Sequence, residues 1–189
     1  MNTATSKAGK LILILGSSGS GKGTVLSALR KNHPEIVFPV SCTTREPRPR
    51  EKNGEVYYFI SKEEFKRKID AGEFLEYAVV HGDNYYGTLK SEILKPVEEG
   101  KIVVREVDVQ GLRSIRELLP REKLCSIFLT VSGWGTLRHR ILKRSTLPEE
   151  ELEKRRQSFL IEKEWEKECD VVINSVEGEI TKLIADVEV

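Results

Sequence analysis

The sequence predicts an α/β protein whose core is a parallel β-sheet flanked by helices. Continuous apolar runs are typical of strands covered on both faces, and the chain contains LILIL, KIVVREVDV, LCSIFLTV and CDVVINSV. Helical or highly charged segments separate these runs, which is the order that βαβ crossovers produce. Ligands bind beyond the carboxyl ends of the strands in such sheets, so residues that follow strands are candidates for a functional site.

The composition fits a globular protein and argues against several classes of function. Of the 189 residues, 39% are hydrophobic and 32% are charged, which suffices for one substantial core. The formal net charge of +1 argues against a general nucleic-acid or membrane-surface binder. Three scattered cysteines disfavour a disulfide framework or a zinc site. Because no run approaches the ~18 apolar residues that span a bilayer, and the start MNTATSKAGK is unlike a secretory signal, we expect a cytoplasmic protein.

The amino-acid composition of the chain changes twice along its length. We expect a flexible tail over residues 1–9, followed by a single domain over residues 10–189. Residues 41–90 are rich in turn formers, charge and tyrosine and predict a small lobe. Residues 132–167 are highly charged and predict a pair of helices. The core is expected in residues 10–40, 91–131 and 168–189.

Shorter signals place individual elements within these parts. A short helix is predicted over Lys62–Asp70 in the small lobe. The helical pair is predicted to break at residues 146–148, where Pro148 followed by glutamates is favourable chemistry for a new helix start. The stretch IVFPVS predicts a further strand, and Pro39 within it suggests a sheet edge because proline cannot donate to a ladder.

A glycine-rich loop follows the first apolar run. The stretch GSSGSGKGT matches the pattern G-x-x-x-x-G-K between a predicted strand and a predicted helix. Glycines permit positive φ, so successive backbone N–H groups can point at one anion, and the helix N-terminus adds a partial positive charge. We therefore predict a P-loop for a nucleoside triphosphate, in which Lys22 follows the transferring phosphoryl group. The expected ATP-binding residues of the loop are Gly16, Ser17, Ser18, Gly19, Ser20, Gly21, Lys22, Gly23 and Thr24.

The position directly after the lysine departs from the common pattern. Gly23 stands where a hydroxyl that contacts magnesium is usual, and Thr24 supplies a hydroxyl one residue later. This arrangement, GKGT, resembles the loop of adenylate kinases. Phosphate binding rests on backbone groups and is unaffected. We expect Mg²⁺ to be held mainly by phosphates and water, with Thr24 as the candidate protein ligand.

The small lobe and several later motifs resemble the guanylate kinase family. SCTTREPRPREKNGEVYYF is similar to the family's S-x-T-T-R-x-P-R-x-x-E-x-x-G-x-x-Y, and GEFLEYAVVHGDNYYGT is similar to its G-x-F-x-E and N-Y-Y-G-[ST]. VDVQG and VVINS follow in the family's order, so the resemblance runs from about Leu11 to the C-terminus. It implies a P-loop parallel sheet core flanked by helices, a small nucleotide-acceptor lobe and a helical lid.

The resemblance implies that the lobe binds GMP. Arg45 and Arg48 lie three residues apart in a proline-stiffened segment, which suits planar, bidentate donors that grip one phosphate. Glu51 is expected to hold these arginines in place. Tyr57 and Tyr86 are expected to donate phenolic hydrogen bonds to the same phosphate.

Base choice is expected to fall to Glu76. A carboxylate accepts from guanine N1–H and the 2-amino group together, whereas adenine offers no such pair of donors. Ser41 and Thr88 have hydroxyls that can donate to guanine O6. The resemblance assigns all three positions to guanine recognition.

The end of the run KIVVREVDV raises a separate question. A lone acid at the end of a buried strand is costly unless it is paired, so Asp108 is expected to act on the magnesium shell or on GMP, with a capped strand-end acid as the alternative. Glu106 stands where the family commonly has a second aspartate. Arg105 stands where an apolar residue is expected, and the sequence offers no account of it. Asn174, which ends the last run, resembles the family's adenine-side asparagine.

The helical pair resembles the family's lid. Arg140, Arg144 and Arg155 are similar to its R-x-x-x-R followed by a later arginine, and with Lys22 and Arg45 they are the expected catalytic residues. Arginines that arrive on closure would stabilise charge between donor and acceptor. An ordinary solvated helix with Glu–Arg pairs is the alternative. The family usually has glycine at the position of Ser145.

The expected function is transfer of the ATP γ-phosphoryl group to GMP, and to dGMP, giving ADP and GDP by direct in-line transfer. Mg²⁺ is the expected cofactor, and ATP and GMP are the expected partners, without nucleic acid or membrane. Monomer and homodimer both stay open. The alternatives are a kinase for another monophosphate or a sugar phosphate, and a non-catalytic guanylate-kinase-like binding domain.

Overall fold

Two four-stranded sheets organise the chain. The computed structural model describes residues 9–55, 57–80, 83–144, 146–176 and 179–188. The first sheet is parallel throughout and has the strand order β6-β1-β7-β8. Its strands are β1 (Lys10–Leu15), β6 (Ile102–Glu106), β7 (Leu124–Thr130) and β8 (Val171–Asn174). Each arises from one of the four apolar runs, so the predicted parallel core is confirmed.

The further strand predicted in IVFPVS is reduced to a single bridge. Val37 pairs with Val103 beside β6, where it donates to Ile102 O and accepts from Val104 N, both at 2.9 Å. Pro39 follows two residues later and has no N–H to continue the ladder. The sequence therefore placed this segment correctly at a sheet edge and overestimated its length.

Helices cover both faces of the first sheet. Leu11, Leu13 and Leu15 pack with residues of α3 (Ser91–Glu98) and α4 (Val109–Arg116) on one face. Ile14 packs with residues of α1 (Lys22–Asn32) and α7 (Ile180–Glu188) on the other face. Successive strand residues point to opposite faces, which is why the run LILIL is apolar at every position. The two short 3-10 helices are Arg121–Lys123 and Glu164–Glu168.

The second sheet belongs to the predicted small lobe. Its strands are β2 (Cys42–Thr43), β3 (Tyr58–Phe59), β4 (Phe74–Val80) and β5 (Asn84–Leu89), in the order β3-β2-β5-β4. Helix α2 (Lys62–Asp70) covers it and matches the predicted helix. Phe65 of α2 stacks on Phe74, with ring centroids 4.2 Å apart, in a small core of its own.

The charged segment forms two helices, α5 (Trp134–Arg144) and α6 (Glu149–Lys163). The predicted break at residues 146–148 is confirmed, and Pro148 precedes the first residue of α6. Leu137, Ile141 and Phe159 form part of a third apolar cluster between the two helices. The expected N-terminal tail up to residue 8, the side chain of Arg144, and Ser145 all lie outside the described residues.

Candidate active site

The glycine loop after β1 is shaped by its backbone. Gly16, Gly19 and Gly21 have φ values of +140°, +96° and +105°, which L side chains rarely adopt. A Cβ at Gly16 would lie 2.4 Å from the Leu129 carbonyl oxygen, so only glycine fits there. Gly21 precedes α1, and no side chain caps that helix. The first N–H groups of α1 therefore remain available for an anion, beside a cavity of about 450 Å³.

Lys22 lies folded into this loop. Its Nζ donates to Gly16 O at 2.5 Å and to Ser17 O at 3.1 Å, and lies 3.5 Å from Glu106 Oε1 at the end of β6. The side chain is only 12% exposed. Ser20 Oγ is buried in the same loop and has no hydrogen-bond partner among the described residues. A cation and an unsatisfied hydroxyl thus stand inside the glycine-rich loop, which suits an anionic ligand.

The two lobe arginines are organised by Glu51. Arg45 Nη2 donates to Glu51 Oε1 and Oε2 at 3.1 and 2.9 Å, and the backbone N–H of Arg48 donates to Oε2 at 2.7 Å. The Arg48 N–H, together with Arg45, holds the pKa of Glu51 below its ordinary value, and the bond to Glu51 raises the pKa of Arg45. Glu51 therefore stays ionised and fixes the arginine-bearing loop, as the sequence led us to expect.

The lobe tyrosines lie beside this cluster. The rings of Tyr57 and Tyr86 meet edge to face with centroids 5.7 Å apart. The Arg45 guanidinium carbon lies 5.8 Å from the Tyr57 centroid and 5.6 Å from that of Phe59. The aromatic contacts add a weak cation–π attraction that restrains Arg45. The structure therefore brings the residues expected to bind one phosphate to one corner of the lobe.

The three residues expected to read the base also come together. Glu76 on β4 is directly opposite Thr88 on β5, and Thr88 Oγ1 lies 2.8 Å from Ser41 Oγ. Thr88 is fully buried, and Ser41 is partly buried. Glu76 accepts from Arg105 Nη2 at 2.5 Å. Glu76 is thus the register partner of a residue in the hydroxyl pair, and its carboxylate is held by an arginine of the core.

A cleft of about 670 Å³ extends from the glycine loop to Glu76 of the lobe, and the lobe arginines and tyrosines described above do not line it. Gly16, Ser18 and Lys22 line it from the loop, and Glu76 lines it from the lobe. Asp108 also lines it, but not as an acid at a buried strand end, because β6 already ends at Glu106. Asp108 is exposed and caps α4 through a hydrogen bond from Gly111 N to its Oδ1 at 2.8 Å. The structure thus shows Asp108 as a helix cap at the edge of the cleft.

Two of the predicted lid arginines, Arg140 and Arg155, are held away from the cleft. Arg140 donates through Nη1 to Ser175 Oγ at 3.0 Å and through Nη2 to Ser175 O at 2.7 Å. Arg155 pairs with Glu151 one turn earlier in α6, at 3.2 Å. Neither lines the loop cavity or the cleft. Asn174, also expected on the ATP side, is exposed at the end of β8, next to Ser175.

Several residues of the cleft carry no signal in the sequence. Glu162 at the end of α6 and Trp165 after it come from a segment that looks like a solvated charged helix. Ser114 on α4 carries no pattern of its own either, whereas Gln110 belongs to the VDVQG motif. Arg105 was noticed only as an anomaly. These residues reach the cleft only through packing between parts of the chain that are distant in sequence.

Two features are not found among the described residues. No group of three or more histidine, cysteine, aspartate or glutamate side chains among them is placed to hold a metal ion. None of the helices in the described part of the chain combines the length and apolar character that a membrane span needs.

Comparisons with known proteins agree with this geometry. The protein-family model described as "Guanylate kinase" matches residues 8–188. A guanylate kinase of a Nostoc species is 43% identical over 176 residues, covering 91% of this chain and 87% of the relative. A guanylate kinase of Streptomyces coelicolor is 41% identical over 178 residues, covering 93% of this chain and 89% of the relative.

The fold has a counterpart among solved structures as well. The crystal structure of guanylate kinase from Anaplasma phagocytophilum superposes with a TM-score of 0.64 at 29% identity, covering 96% of this chain and 84% of that one. Sequence motifs, the family model and the curated relatives all point the same way. The chain therefore belongs to the guanylate kinase family, the ATP:GMP phosphotransferases that its motifs predicted.

Proposed function

We propose that this chain transfers the γ-phosphoryl group of ATP, bound on the glycine loop, to GMP or dGMP bound in the lobe. One observation carries the proposal: Lys22 of the loop and Glu76 of the lobe line the same cleft. Phosphoryl transfer asks a protein mainly to align donor and acceptor and to stabilise negative charge. A single cleft with a phosphate loop at one end and a base-reading carboxylate at the other supports that task.

The donor half-site is proposed to act through the backbone of residues 16–24. The amide groups bind the phosphates, and Lys22 moves from its contacts with Gly16 O and Ser17 O onto the phosphate oxygens. Those two carbonyl contacts and the nearby Glu106 keep the ammonium at the loop until a nucleotide arrives. Asn174 is proposed to contact the adenine side.

Magnesium is proposed to enter with ATP. Thr24 and Glu106 line the same loop cavity and are the oxygen donors on hand for it or for its water shell. Mg²⁺ commonly keeps several waters and binds through substrate phosphates and one or two protein groups, so the absence of a metal cage among the described residues fits this mode. When bound, it would neutralise charge on the transferring phosphates.

The acceptor half-site is proposed to act through side chains. Arg45 and Arg48, fixed by Glu51, would grip the GMP phosphate with Tyr57 and Tyr86. Glu76 would accept from guanine N1–H and the 2-amino group, while Ser41 or Thr88 donates to O6. Asp108, at the cleft, would act on GMP only from its capping position.

Residues 132–167 are proposed to act as the lid. Closure would release Arg140 from Ser175 and bring it, with Arg144 and Arg155, toward the phosphates. The same movement would exclude water, which favours transfer to GMP over hydrolysis. We further propose that residues 10–189 act as one domain, free of nucleic acid, as a monomer or homodimer.

The two alternatives find no specific support. The relatives reported above are all described as guanylate kinases. A binding module would not need Lys22 held within the glycine loop, and a kinase for another monophosphate would not need the grouping of Glu76, Thr88 and Ser41.

The proposal is tested by ADP formation from Mg·ATP with GMP, dGMP, AMP, CMP, UMP and TMP offered separately. Turnover confined to the guanine nucleotides, and lost in Glu76→Gln, is the expected result. Turnover with another monophosphate would overturn the base assignment. Binding of GMP by calorimetry without turnover on any acceptor would favour the binding module instead.

A further inference from the structure

Arg105 occupies an unusual place for an arginine. It lies on β6, the terminal strand of the parallel sheet, where its register partner on β1 is the buried Leu13. The two preceding residues, Val103 and Val104, belong to the apolar core. Its side chain is only 13% exposed, so the guanidinium has lost most of its contact with water. A charge in such a place needs a compensating partner.

That partner is Glu76, across the cleft on the lobe strand β4. Arg105 Nη2 donates to Glu76 Oε1 at 2.5 Å, whereas Arg105 Nε is buried without a partner among the described residues. Burial lowers the pKa of Arg105, while the Glu76 charge opposes that shift. Arginine still stays protonated in proteins, so the guanidinium continues to hold the carboxylate.

The ion pair leaves Glu76 able to act on a ligand. Its side chain is 42% exposed and lines the cleft, and Arg105 donates to one of its two oxygens. An ionised carboxylate accepts at about four lone-pair sites, so one bond from Arg105 is compatible with two from a base. Holding the side chain in place beforehand reduces the ordering that a ligand must impose.

We propose that Arg105 is a positioning residue for guanine recognition: it holds the Glu76 carboxylate oriented toward the cleft, so that its free lone pairs meet guanine N1–H and the 2-amino group. The inference rests on the proposed function, because it assigns Arg105 to the same acceptor site. It also accounts for an arginine at an otherwise apolar strand position. Arg105 acts through Glu76 and does not itself contact the reacting phosphates.

A purely structural role would have different consequences. If Arg105 only linked β6 to β4, it would stabilise the fold and leave the preference for one acceptor base over another unchanged. A positioning role predicts a selective effect on the acceptor nucleotide, transmitted through Glu76. Comparison of GMP with IMP distinguishes the positioning role from the structural role, since IMP keeps the N1–H and O6 of GMP and lacks the 2-amino group.

The test uses Arg105→Met, which removes the charge and keeps an unbranched side chain, with Arg105→Lys as a second variant should the first fail to fold. Arg113→Met is the matched control because Arg113 also pairs with a glutamate, Glu168, but lies outside the cleft lining. Folding of each variant is checked by thermal unfolding. KM and kcat are then measured for GMP and IMP, and KM for ATP.

Arg105→Met is expected to raise the KM for GMP about tenfold and to reduce the preference for GMP over IMP by a similar factor, typical of contacting residues that are strongly coupled. The kcat and the KM for ATP should change less than about twofold, and Arg113→Met should match the parent chain. Arg105→Lys should fall between the parent chain and Arg105→Met.

A double-mutant cycle with Glu76→Gln shows whether Arg105 affects GMP binding through Glu76. If Arg105 acts through Glu76, adding Arg105→Met to Glu76→Gln should change the affinity for GMP less than about twofold. An undiminished effect in that background, or an unchanged GMP-to-IMP preference in Arg105→Met, would overturn the inference. If the parent chain binds GMP but does not turn it over, the proposed reaction is wrong, but the inference about Arg105 can still be tested. The double-mutant cycle is then measured with GMP dissociation constants from calorimetry.

Discussion

The glycine loop and the acceptor lobe are suited to the same chemical group by different means. In the loop, the shape comes from the backbone: Gly16 and Gly21 adopt positive φ, and no side chain caps α1. In the lobe, the shape comes from side chains: Glu51 holds Arg45 and the Arg48 backbone, while Glu76 holds Arg105. Both arrangements present positive charge or N–H donors to an anion.

The difference has consequences for mutation. A backbone site is insensitive to most side-chain changes and fails where a glycine conformation is lost. A side-chain network fails when its central acceptor is removed, because several donors lose their partner at once. Mutations in the loop and in the lobe should therefore differ in which substrate they affect.

Gly16→Ala should impair the loop most severely. The new Cβ would meet Leu129 O at 2.4 Å, at a φ of +140°. We expect ATP turnover to fall about 10³-fold, because several amide donors are misplaced together, and unfolding free energy to fall by roughly 2–3 kcal/mol. Gly135→Ala, in α5 and outside the loop, is the control, since nothing lies within 4 Å of a Cβ there. Equal losses in both variants would contradict a backbone-built loop.

Glu51→Gln should disable the phosphate end of the lobe. Its carboxylate accepts from Arg45 and from the Arg48 N–H, and a neutral amide cannot balance the guanidinium. We expect kcat/KM for GMP to fall about 10²-fold with the KM for ATP unchanged. Glu55→Gln, which breaks an exposed pair with Lys52 in the same loop, should change little. An effect on ATP as large as that on GMP would show that the half-sites are not separate.

Thr88→Val should weaken base recognition selectively. It removes the buried hydroxyl 2.8 Å from Ser41 Oγ and nearly keeps the side-chain volume. We expect KM for GMP to rise about tenfold, equivalent to the loss of one or two neutral hydrogen bonds. Thr88→Ser, which retains the hydroxyl, should stay close to the parent chain in the same steady-state assay. A larger effect of serine than of valine would exclude the hydroxyl as the cause.

The smallest effect concerns acidity. Because the Arg48 N–H and then Arg45 hold the pKa of Glu51 below its ordinary 4.5, its contribution to stability is present above that value and is lost as pH falls through the lowered pKa. Carboxyl carbon shifts in an NMR titration should show a midpoint below 4.5. Arg45→Gln should raise that midpoint only part of the way, since the backbone donor remains. A midpoint at or above 4.5 in the parent chain would contradict the network.

Local patterns in the sequence were enough for much of the fold. The four core strands follow from apolar runs, and α2 matches its predicted bounds of Lys62–Asp70. The break between α5 and α6 follows from Pro148. Such signals succeed because the conformation depends on residues close together in the chain. The length of the pairing at Val37 was overestimated because ladder length depends on the neighbouring strand, β6.

The site likewise contains local arrangements, which the sequence predicts, and long-range contacts, which it does not. The sequence by itself determined the glycine loop, with its strand before it and its helix after it, and it determined the spacing of Arg45, Arg48 and Glu51, since these are local arrangements. Tertiary structure alone joined Arg105 to Glu76, which lie 29 residues apart, and Arg140 to Ser175, 35 apart. It also brought Trp165 to the cleft. Contacts of this kind depend on how the lobe and the helical pair pack on the core, and no periodicity within either segment encodes that packing.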